Sequence, residues 1–388
     1  MKRTASLLFC IAISLFMASC RAGQTVAPES ATQTVLPEPT QMLTATPIPV
    51  ATAVSTPLPE ATQTSTDTPL PATAMAICHI PYYDPVAFMP DNIRLLVRDN
   101  SGVRIFNLET LEAESYLIAP KNLVPAAALS PDGQTLAWAL EDNTIQLIRV
   151  LDQTFIHTLA GHTDMVTALK FSPAGDKLFS ASHDTWVRIW DLDGKQLDAY
   201  QPTGADDLPS EVLGFGISPD GLKLATIPLD GPMKLWDLDG HSQIAEFHGS
   251  ISGGYDGSDV AFSPDGQFIA QHLGAGGGYL SLWRISDGSL LFRSENLSLG
   301  VAFSPDGRYL AHAEMDPSGV NRVVVRSADG NDLIRVLEGP ENTSQLGKVI
   351  FSPDSTRLVA VDNYISAKIL IWQVANGKLQ QIRDIPCP

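Results

Sequence analysis

A Ser-Pro-Asp-Gly tetrapeptide recurs along most of this chain of 388 residues, and its spacing constrains the fold more than any other feature. Successive copies lie 42, 46, 45, 41 and 48 residues apart, and they begin at Ser130, Ser172, Ser218, Ser263, Ser304 and Ser352. Ala174 replaces the Asp in one copy and Ser355 replaces the Gly in another. A degenerate copy, Met89-Pro90-Asp91-Asn92, lies 41 residues before Ser130. The chain therefore contains seven structural repeats.

Each repeat has the pattern of four short β-strands. An apolar strand precedes the tetrapeptide, whose Pro presets one backbone angle and whose Gly tolerates a positive φ. A second strand, a third that often ends at Trp, and a more polar fourth complete the repeat. Five repeats carry a hairpin dipeptide between the third and fourth strands: Asp193-Gly194, Asp239-Gly240, Asp287-Gly288, Asp329-Gly330 and Asn376-Gly377. The pattern predicts an all-β, seven-bladed β-propeller of four-stranded antiparallel blades over residues 77–388.

The third repeat resembles a WD repeat. It has Gly161-His162 near its start and Trp190-Asp191 at its end. In that family a His, a strand Ser or Thr, a turn Asp and the Trp form a buried hydrogen-bond chain, and the matching residues are His162, Ser180, Asp184 and Trp190. The fourth repeat keeps Thr226, Asp230 and Trp236 but lacks the Gly-His pair. The resemblance implies a structural role for these residues, and we favour that role over a catalytic His162–Asp184 pair.

Residues 1–19 have the pattern of a secretory signal peptide. Lys2 and Arg3 precede an apolar run from Leu7 to Met17 that is short for a bilayer span. Two small residues then precede Cys20, which resembles the bacterial lipoprotein signal, in which this Cys is acylated and becomes the mature N-terminus. The resemblance implies a lipid-anchored, extracytoplasmic protein. An ordinary signal peptide, with Cys20 incidental, is the alternative.

Residues 20–76 have the composition of a disordered stalk. The 56 residues after Cys20 contain 13 Thr, 10 Ala and 9 Pro, and no aromatic residue. Such a segment cannot bury enough apolar area to offset its ordering entropy. Alternating Thr and Pro favour an extended chain, so we expect a spacer between the anchor and the propeller.

The last two cysteines, Cys78 and Cys387, lie at the two ends of the predicted propeller. The first and last blades of a closed ring are neighbours, and disulfides persist in exported proteins. We therefore expect a Cys78–Cys387 disulfide across the closure of the ring. Two unpaired thiols are the alternative.

No sequence motif indicates catalysis, a cofactor or a metal. The chain lacks Gly-x-Ser-x-Gly, His-Glu-x-x-His and Cys-x-x-Cys, and its eight histidines are scattered over different repeats. We expect no cofactor and no metal. A site assembled from several blades at the central channel is invisible to this reasoning, so an exported enzyme with acidic residues there stays open as an alternative.

The charge argues against nucleic acid and anionic lipid surfaces as partners. The chain has 43 acidic against 25 basic residues and a net charge of −18, whereas both partners require clustered positive charge. An acidic rim favours a basic partner. Four residues in predicted loops are candidate partner contacts: His183, Trp186, Tyr255 and Tyr279.

Three functions fit these features. The first is a lipid-anchored scaffold, a monomeric propeller that binds a protein, peptide or other ligand without turnover. The second is the exported enzyme. The third is a component of an envelope complex, because periplasmic propellers of that kind carry similar Ser-Pro-Asp-Gly repeats. We favour the scaffold, since the chain supplies an anchor, a spacer and a repeat domain but no reactive group of residues.

Overall fold

The computed structural model describes residues 84–99, 102–110, 112–118, 125–204, 206–248, 258–273, 279–339, 346–362 and 368–384. All of them belong to one compact unit, Ile77–Pro388. The predicted signal peptide and stalk, together with Cys20, Cys78, Tyr255 and Cys387, lie outside these ranges. Within these ranges no helix is long and apolar enough to cross a membrane.

The described residues form 28 β-strands in seven antiparallel sheets, each built from four consecutive strands. The first sheet contains β1 (Asp84–Phe88), β2 (Arg94–Asp99), β3 (Gly102–Asn107) and β4 (Glu112–Ile118). The second contains β5 (Ala127–Leu129), β6 (Thr135–Ala139), β7 (Ile145–Arg149) and β8 (Phe155–Leu159). The third contains β9 (Val166–Phe171), β10 (Lys177–Ser182), β11 (Val187–Asp191) and β12 (Gln196–Tyr200). The fourth contains β13 (Val212–Ile217), β14 (Lys223–Pro228), β15 (Met233–Asp237) and β16 (Ser242–Phe247).

The remaining three sheets follow the same order. The fifth contains β17 (Asp259–Phe262), β18 (Phe268–His272), β19 (Ser281–Arg284) and β20 (Leu290–Arg293). The sixth contains β21 (Leu297–Phe303), β22 (Tyr309–Met315), β23 (Asn321–Ser327) and β24 (Leu333–Glu338). The seventh contains β25 (Leu346–Phe351), β26 (Arg357–Asp362), β27 (Lys368–Gln373) and β28 (Leu379–Asp384).

Seven hydrophobic clusters close these sheets into a ring. Each cluster lies between two neighbouring sheets, and one joins the first sheet to the seventh through residues such as Leu95, Val97, Val361 and Ile371. Full burial of one such aliphatic side chain contributes about 1.5–3 kcal/mol. The predicted all-β seven-bladed propeller is confirmed. Because every sheet is contiguous in sequence, the ring closes by side-chain packing and not by exchange of a strand.

The first strand of each sheet lies innermost, because the first strands of neighbouring sheets contact one another around the ring. Small residues allow this close approach. A Cβ atom added to Gly214 would lie 2.3 Å from the carbonyl oxygen of Ser258, and one added to Gly300 would lie 2.9 Å from the Cα of Lys348. Glycine at these two positions therefore permits the close approach of neighbouring first strands.

The recurring tetrapeptide forms the turn between the first and second strands. In the fifth sheet the Gly266 amide donates to the carbonyl of Ser263 at 2.9 Å, and Gly266 has a φ of 69°. The Ser263 hydroxyl donates to Asp265 Oδ1 at 2.6 Å and accepts from the Phe268 amide at 2.8 Å. The repeat thus specifies a turn in which backbone and side-chain groups are paired with one another.

Two copies of the tetrapeptide differ in sequence, and in each the turn is kept because another residue takes the role of the missing one. Where Ala174 replaces the aspartate, Asp176 accepts the hydrogen bond from the Ser172 hydroxyl instead, at 2.7 Å. Where Ser355 replaces the glycine, it adopts a positive φ of 61° itself. Its hydroxyl accepts a hydrogen bond from the Asp306 amide of the sixth sheet at 3.0 Å, which links two neighbouring turns.

The hairpins between third and fourth strands are present at the predicted dipeptides, but they are not two-residue type I′ turns. That type requires positive φ at both central residues. Of Asp193-Gly194 only Gly194 has positive φ, at 94°, and the strand pairing shifts by one residue before Trp190. In the fourth sheet the positive φ falls on His241, one residue after Gly240. These connections are longer hairpins with a bulge, which the dipeptides alone do not distinguish.

Candidate functional site

A buried chain of hydrogen bonds runs through the third blade. His162, in the connection between β8 and β9, contacts Asp184 Oδ2 through Nδ1 and Ser180 Oγ through Nε2, each at 2.8 Å. The Trp190 indole donates to the same Ser180 oxygen at 2.8 Å. The Asp184 carboxylate cannot donate, so Nδ1 of His162 carries the proton and Nε2 accepts from the Ser180 hydroxyl. The structure therefore brings all four predicted residues together.

The environment of this hydrogen-bond chain is suited to holding the third blade rigid. The side chains of His162 and Asp184 are 1% and 2% exposed, and Ser180 is fully buried. Burial favours the neutral acid, but the hydrogen bond from His162 and those from the amides of Thr163 and Trp186 lower the pKa of Asp184. A fully paired buried network of this kind rigidifies its surroundings. None of these four residues lines the central cavity described below.

The fourth blade carries only part of the chain. The Trp236 indole donates to Thr226 Oγ1 at 2.9 Å, as Trp190 does to Ser180. Asp230 accepts instead from the Ser210 hydroxyl at 2.6 Å, and it contacts neither Thr226 nor a histidine. The structure therefore joins Thr226 and Trp236, as the resemblance implies, but Asp230 takes part in a separate hydrogen bond.

A constant offset locates the equivalent strand position in all seven blades. This position lies eight residues after the first residue of the tetrapeptide, and its occupants are Val97, Trp138, Ser180, Thr226, Gln271, His312 and Ala360. The equivalent position of the third strand, defined by its cross-strand partner, is held by Phe106, Ile148, Trp190, Trp236, Trp283, Arg326 and Trp372. Only the third and fourth blades pair a hydroxyl with an indole at these positions.

His312 is a buried polar residue that our sequence reasoning missed. It is fully buried in the sixth blade, and neither ring nitrogen has a hydrogen-bond partner. Burial, together with the positive charges of Arg326, His272 and Arg322, lowers the pKa of His312 to about 3. Arg326 lies over the Phe292 ring at 4.0 Å. The eight-residue offset would have found His312, but the family motif does not, because it expects Ser or Thr there.

The predicted contact residues lie on one face of the ring. In each antiparallel sheet, the connection between second and third strands and the connection to the next sheet lie at the same end; we call this end the loop face. His183 and Trp186 follow β10, and Tyr279 precedes β19, so all three lie on it. Each is half-buried. The guanidinium of Arg293 lies 5.0 Å from the Tyr279 ring.

Blades three and four carry exposed side chains on loops of the loop face, and these loops hydrogen-bond to one another. The exposed apolar residues are Leu208 and Leu229, 61% and 39% exposed, and Asp206 and Asp207 lie exposed beside Leu208 in sequence. The Leu229 amide donates to the carbonyl of Glu211, which fixes one loop against the other. The Gln201 amide group donates to Thr185 Oγ1 at 3.0 Å and extends this link to the loop that carries Trp186. We call these residues, with Trp186, the loop-face patch.

The central channel contains three charged side chains from alternate blades. Lys170 of the third blade donates to Asp259 Oδ1 of the fifth at 2.6 Å and to the Val260 carbonyl at 3.0 Å. Lys348 of the seventh blade lies 3.3 Å from Asp259 Oδ2. We call Lys170, Asp259 and Lys348 the channel triad. First strands of all seven blades line this space, whose volume is about 430 Å³.

The channel triad does not have the character of paired catalytic acids. Burial favours neutral Asp259, but the charges of Lys170 and Lys348 hold its pKa well below the usual range. Asp259 is the one carboxylate among the described channel-lining residues. Within the described ranges no group of three or more His, Cys, Asp or Glu residues could hold a metal ion.

A family comparison agrees with this geometry. Residues 153–191 match the family described as WD domain, G-beta repeat. This segment is similar to a WD repeat. It covers β8 to β11, so it begins with the outermost strand of the second sheet and continues through three strands of the third. The matched segment therefore connects two neighbouring blades.

Known relatives match over part of the chain. A WD repeat-containing protein of Synechocystis is 36% identical over 104 residues, which are 26% of this chain and 30% of that protein. The COMPASS component SWD3 of Saccharomyces cerevisiae is 32% identical over 104 residues, 26% of this chain and 32% of that protein. Protein groucho of Drosophila melanogaster is 28% identical over 141 residues, 35% and 18% of the two chains. The matched segments span about a third or less of these relatives.

Proposed function

We propose that this protein is a lipid-anchored, extracytoplasmic WD-repeat scaffold that binds a protein partner through the loop-face patch without turnover. The observation that carries this proposal is the patch itself, where exposed apolar and acidic side chains lie on connected loops. One relative is by name a component of an assembly. A propeller made of WD repeats is typical of protein-interaction scaffolds.

The chemistry of the loop-face patch defines the class of partner. Leu208, Leu229 and the Trp186 ring offer apolar area, and aromatic side chains are common anchors in interfaces. Asp206 and Asp207 add two carboxylates on a chain whose net charge is −18, and Asp207 Oδ1 lies 3.8 Å from the Lys234 ammonium. A partner segment with a Lys or Arg next to an apolar side chain fits this surface, and its association rate should fall as salt increases.

Site-specific photo-crosslinking on intact cells tests this proposal. A photoreactive residue at Leu208 should give a discrete crosslinked protein, and Asp206→Lys with Asp207→Lys should abolish that product by charge reversal. The matched control is a photoreactive residue at Leu151, which is 91% exposed in the connection between β7 and β8 at the opposite face. Equal crosslinking from Leu208 and Leu151, or a product insensitive to the charge reversal, would contradict the proposed surface.

The proposed anchor is tested independently of the partner. Acylation at Cys20 predicts metabolic labelling with a fatty acid and recovery in the membrane fraction. Since one acyl chain binds a membrane only marginally, multiple acylation is needed for stable anchoring. Cys20→Ser should remove the label and release the protein from membranes. A Cys20→Ser variant that stays fully membrane-bound would contradict the proposed anchor, but it would not bear on the proposed loop-face patch.

The proposed Cys78–Cys387 disulfide is tested by mass spectrometry of an unreduced digest. A peptide pair linked through the two cysteines is expected. Loss of such a bond across so long a loop should destabilise the domain by on the order of 2–5 kcal/mol. Complete alkylation of both thiols without prior reduction would show that the bond is absent.

The other two hypotheses differ from the scaffold in what they require. The enzyme hypothesis requires paired acids at the channel, and the channel triad offers one carboxylate held between two lysines. The envelope-complex hypothesis requires a small stable partner set. Co-purification of a partner after detergent extraction separates the scaffold and the envelope complex from the enzyme. A small, stable partner set recovered at stoichiometric amounts favours the envelope complex.

A further inference from the structure

The outermost strand of the sixth blade, β24, exposes more large apolar side chains than its counterparts in the second to fifth blades. Leu333, Ile334 and Val336 are 56%, 41% and 42% exposed. Each of the four counterparts exposes one such side chain: Phe155, Leu197, Ile244 and Leu290. An exposed apolar edge strand is a template for pairing with another strand. Of these five edges, β24 is therefore the one best suited to accept a further strand.

The backbone of β24 has one edge without a neighbouring strand. Within the described ranges the order of the sixth sheet ends at β24, and every second residue of an antiparallel edge strand directs its N–H and C=O groups away from its partner. The pairing with β23 shifts by one residue beside Ile334, but it is regular from Arg335 to Glu338. The Glu338 carbonyl accepts a hydrogen bond from the Trp372 indole at 3.3 Å, so residues 333–337 carry the available edge.

The usual devices that protect an edge strand are largely missing from β24. It contains neither Lys nor Pro, two residues that block edge pairing in natural proteins. Its bulge does not distinguish it, because the pairing of third with fourth strands shifts in all seven blades. Its one cationic side chain, Arg335, donates to the Ala375 carbonyl of the seventh blade.

The two faces of β24 differ in what they offer. Leu337 is buried in the cluster between the sixth and seventh blades, and Arg335 is fixed on the same side. Successive side chains of a strand point to opposite faces, so Val336 lies on the other face. A strand added to this edge would therefore find exposed apolar side chains on that face and an already packed surface on the first.

The charges beside this apolar stretch select among the occupants. Asp332 and Glu338 lie exposed at its two ends. Antiparallel pairing of two β24 strands about a two-fold axis would place Glu338 of one copy at the Asp332 end of the other, on chains that each carry a net charge of −18. Residues 21–76 of the chain itself contain nine Pro, which lack an N–H donor, and four acidic residues against one basic. Neither a second copy nor this segment matches the edge.

We propose that the outer edge of β24 binds an extended segment of a partner protein that has apolar residues at alternate positions and a Lys or Arg at each end. Backbone hydrogen bonds add the segment to the sixth sheet as a fifth strand, and its apolar side chains cover Ile334 and Val336. Its basic ends contact Asp332 and Glu338. This surface lies on the outermost strand of the sixth blade, so it does not depend on the loop-face patch of blades three and four.

Fluorescence anisotropy on the purified full chain tests the proposal with a labelled peptide, Lys-Val-Thr-Val-Thr-Val-Lys, blocked at both termini. The peptide should bind with an affinity that falls with added salt. A matched peptide that is N-methylated at every Val and Thr should bind at least about tenfold more weakly, because strand addition requires those N–H groups. Absence of binding by the unmodified peptide, or equal binding of the two peptides, would overturn the proposal.

Hydrogen exchange distinguishes strand addition from a contact of apolar side chains alone. Bound peptide should slow the exchange of backbone amides within residues 333–337, because the outward N–H groups become hydrogen-bonded. The amides of β12, an equivalent edge in the third blade, should exchange as before. Equal exchange of residues 333–337 with and without bound peptide would contradict the added strand.

Matched variants locate the binding edge. Val336→Lys should weaken peptide binding about tenfold, because it adds a positive charge where a basic peptide must pair. Val336→Thr keeps the β-branched shape and should retain most of the affinity. The control is Ile244→Lys, the same kind of change at a side chain that is 47% exposed on β16 of the fourth blade, and it should bind the peptide like the parent. Unchanged affinity in folded Val336→Lys would refute the site.

Two further measurements keep the outcome unambiguous. Thermal melts identify any variant that fails to fold. If Val336→Lys does not fold, the double variant Asp332→Asn with Glu338→Gln carries the test, since it alters only exposed side chains and should weaken binding and reduce its salt dependence. Analytical ultracentrifugation of the parent tests the second copy as occupant. A dimer that Asp332→Asn with Glu338→Gln strengthens and Val336→Lys abolishes would assign the edge to self-association and overturn the proposal.

Discussion

Ser180→Ala is the sharpest test of the hydrogen-bond chain in the third blade. The hydroxyl of Ser180 bonds both the His162 Nε2 and the Trp190 Nε1 at 2.8 Å, and the site is fully buried. Its removal leaves two buried ring nitrogens without partners, and each such loss costs about 1–3 kcal/mol. We therefore expect a loss of about 2–5 kcal/mol, since Ala itself fits the buried strand without strain.

The matched variant is Thr226→Val in the fourth blade, which preserves side-chain shape. Thr226 bonds only the Trp236 indole, at 2.9 Å, and Trp236 is partly exposed, so water can replace the lost partner. This change should cost roughly half as much as Ser180→Ala, or less. Urea unfolding followed by circular dichroism measures both. A Ser180→Ala variant within about 0.5 kcal/mol of the parent, or one more stable than Thr226→Val, would refute the reasoning.

Three further predictions concern the ring and its buried acids and bases. Gly214→Ala places a Cβ 2.3 Å from the Ser258 carbonyl oxygen and should lower the melting temperature by the equivalent of at least about 1–3 kcal/mol; an unchanged melt would contradict the close approach. His312 has a folded pKa of about 3 against 6.5 unfolded, so the unfolded chain binds more protons between these values and stability should fall as pH drops through that range. His312→Gln should melt with less pH dependence between pH 7 and 4.5, and an equal dependence would exclude His312 as the cause. Partial burial opposes ionisation of Asp306, but the Ser304 hydroxyl, the Arg308 amide and the Arg308 charge favour the ionised form, so the pKa of Asp306 is lowered. The ionised carboxylate therefore contributes to folding stability above the pKa of the unfolded chain, and this contribution is lost as the pH falls below that value. Asp306→Asn should therefore lose less stability than the parent between pH 5 and 3, as measured by thermal melts.

His162→Ala separates structural from functional roles. It should lower the melting temperature, since it unpairs Asp184 and Ser180, while crosslinking from Leu208 remains at the parental level. A variant that melts like the parent would contradict the structural role of this hydrogen-bond chain. A variant that keeps its melting temperature but loses the crosslinked product would assign His162 to function.

The local pattern of the chain was sufficient for the secondary structure and the architecture. The tetrapeptide encodes a self-contained turn, because Ser263, Asp265 and Gly266 bond within six residues of one another. The same local periodicity predicts each strand, and seven repeats that cannot bury their faces alone can do so by stacking radially. The hydrogen-bond chain in the third blade was also predictable, because the strand register of a WD repeat brings the four residues that form it together.

Only the tertiary structure determines the contacts of the channel triad and the environment of His312. Lys170, Asp259 and Lys348 are separated by 89 residues in each step, and no motif links them; they meet because alternate first strands face one channel. The ring nitrogens of His312 form no hydrogen bond among the described residues, and its charged neighbours His272, Arg322 and Arg326 come from two neighbouring sheets. A repeat sequence determines the form of each blade through short-range bonds. Some positions carry different side chains in different repeats. The closed ring determines which of these side chains come into contact, because the contacts depend on packing between blades that are distant in sequence.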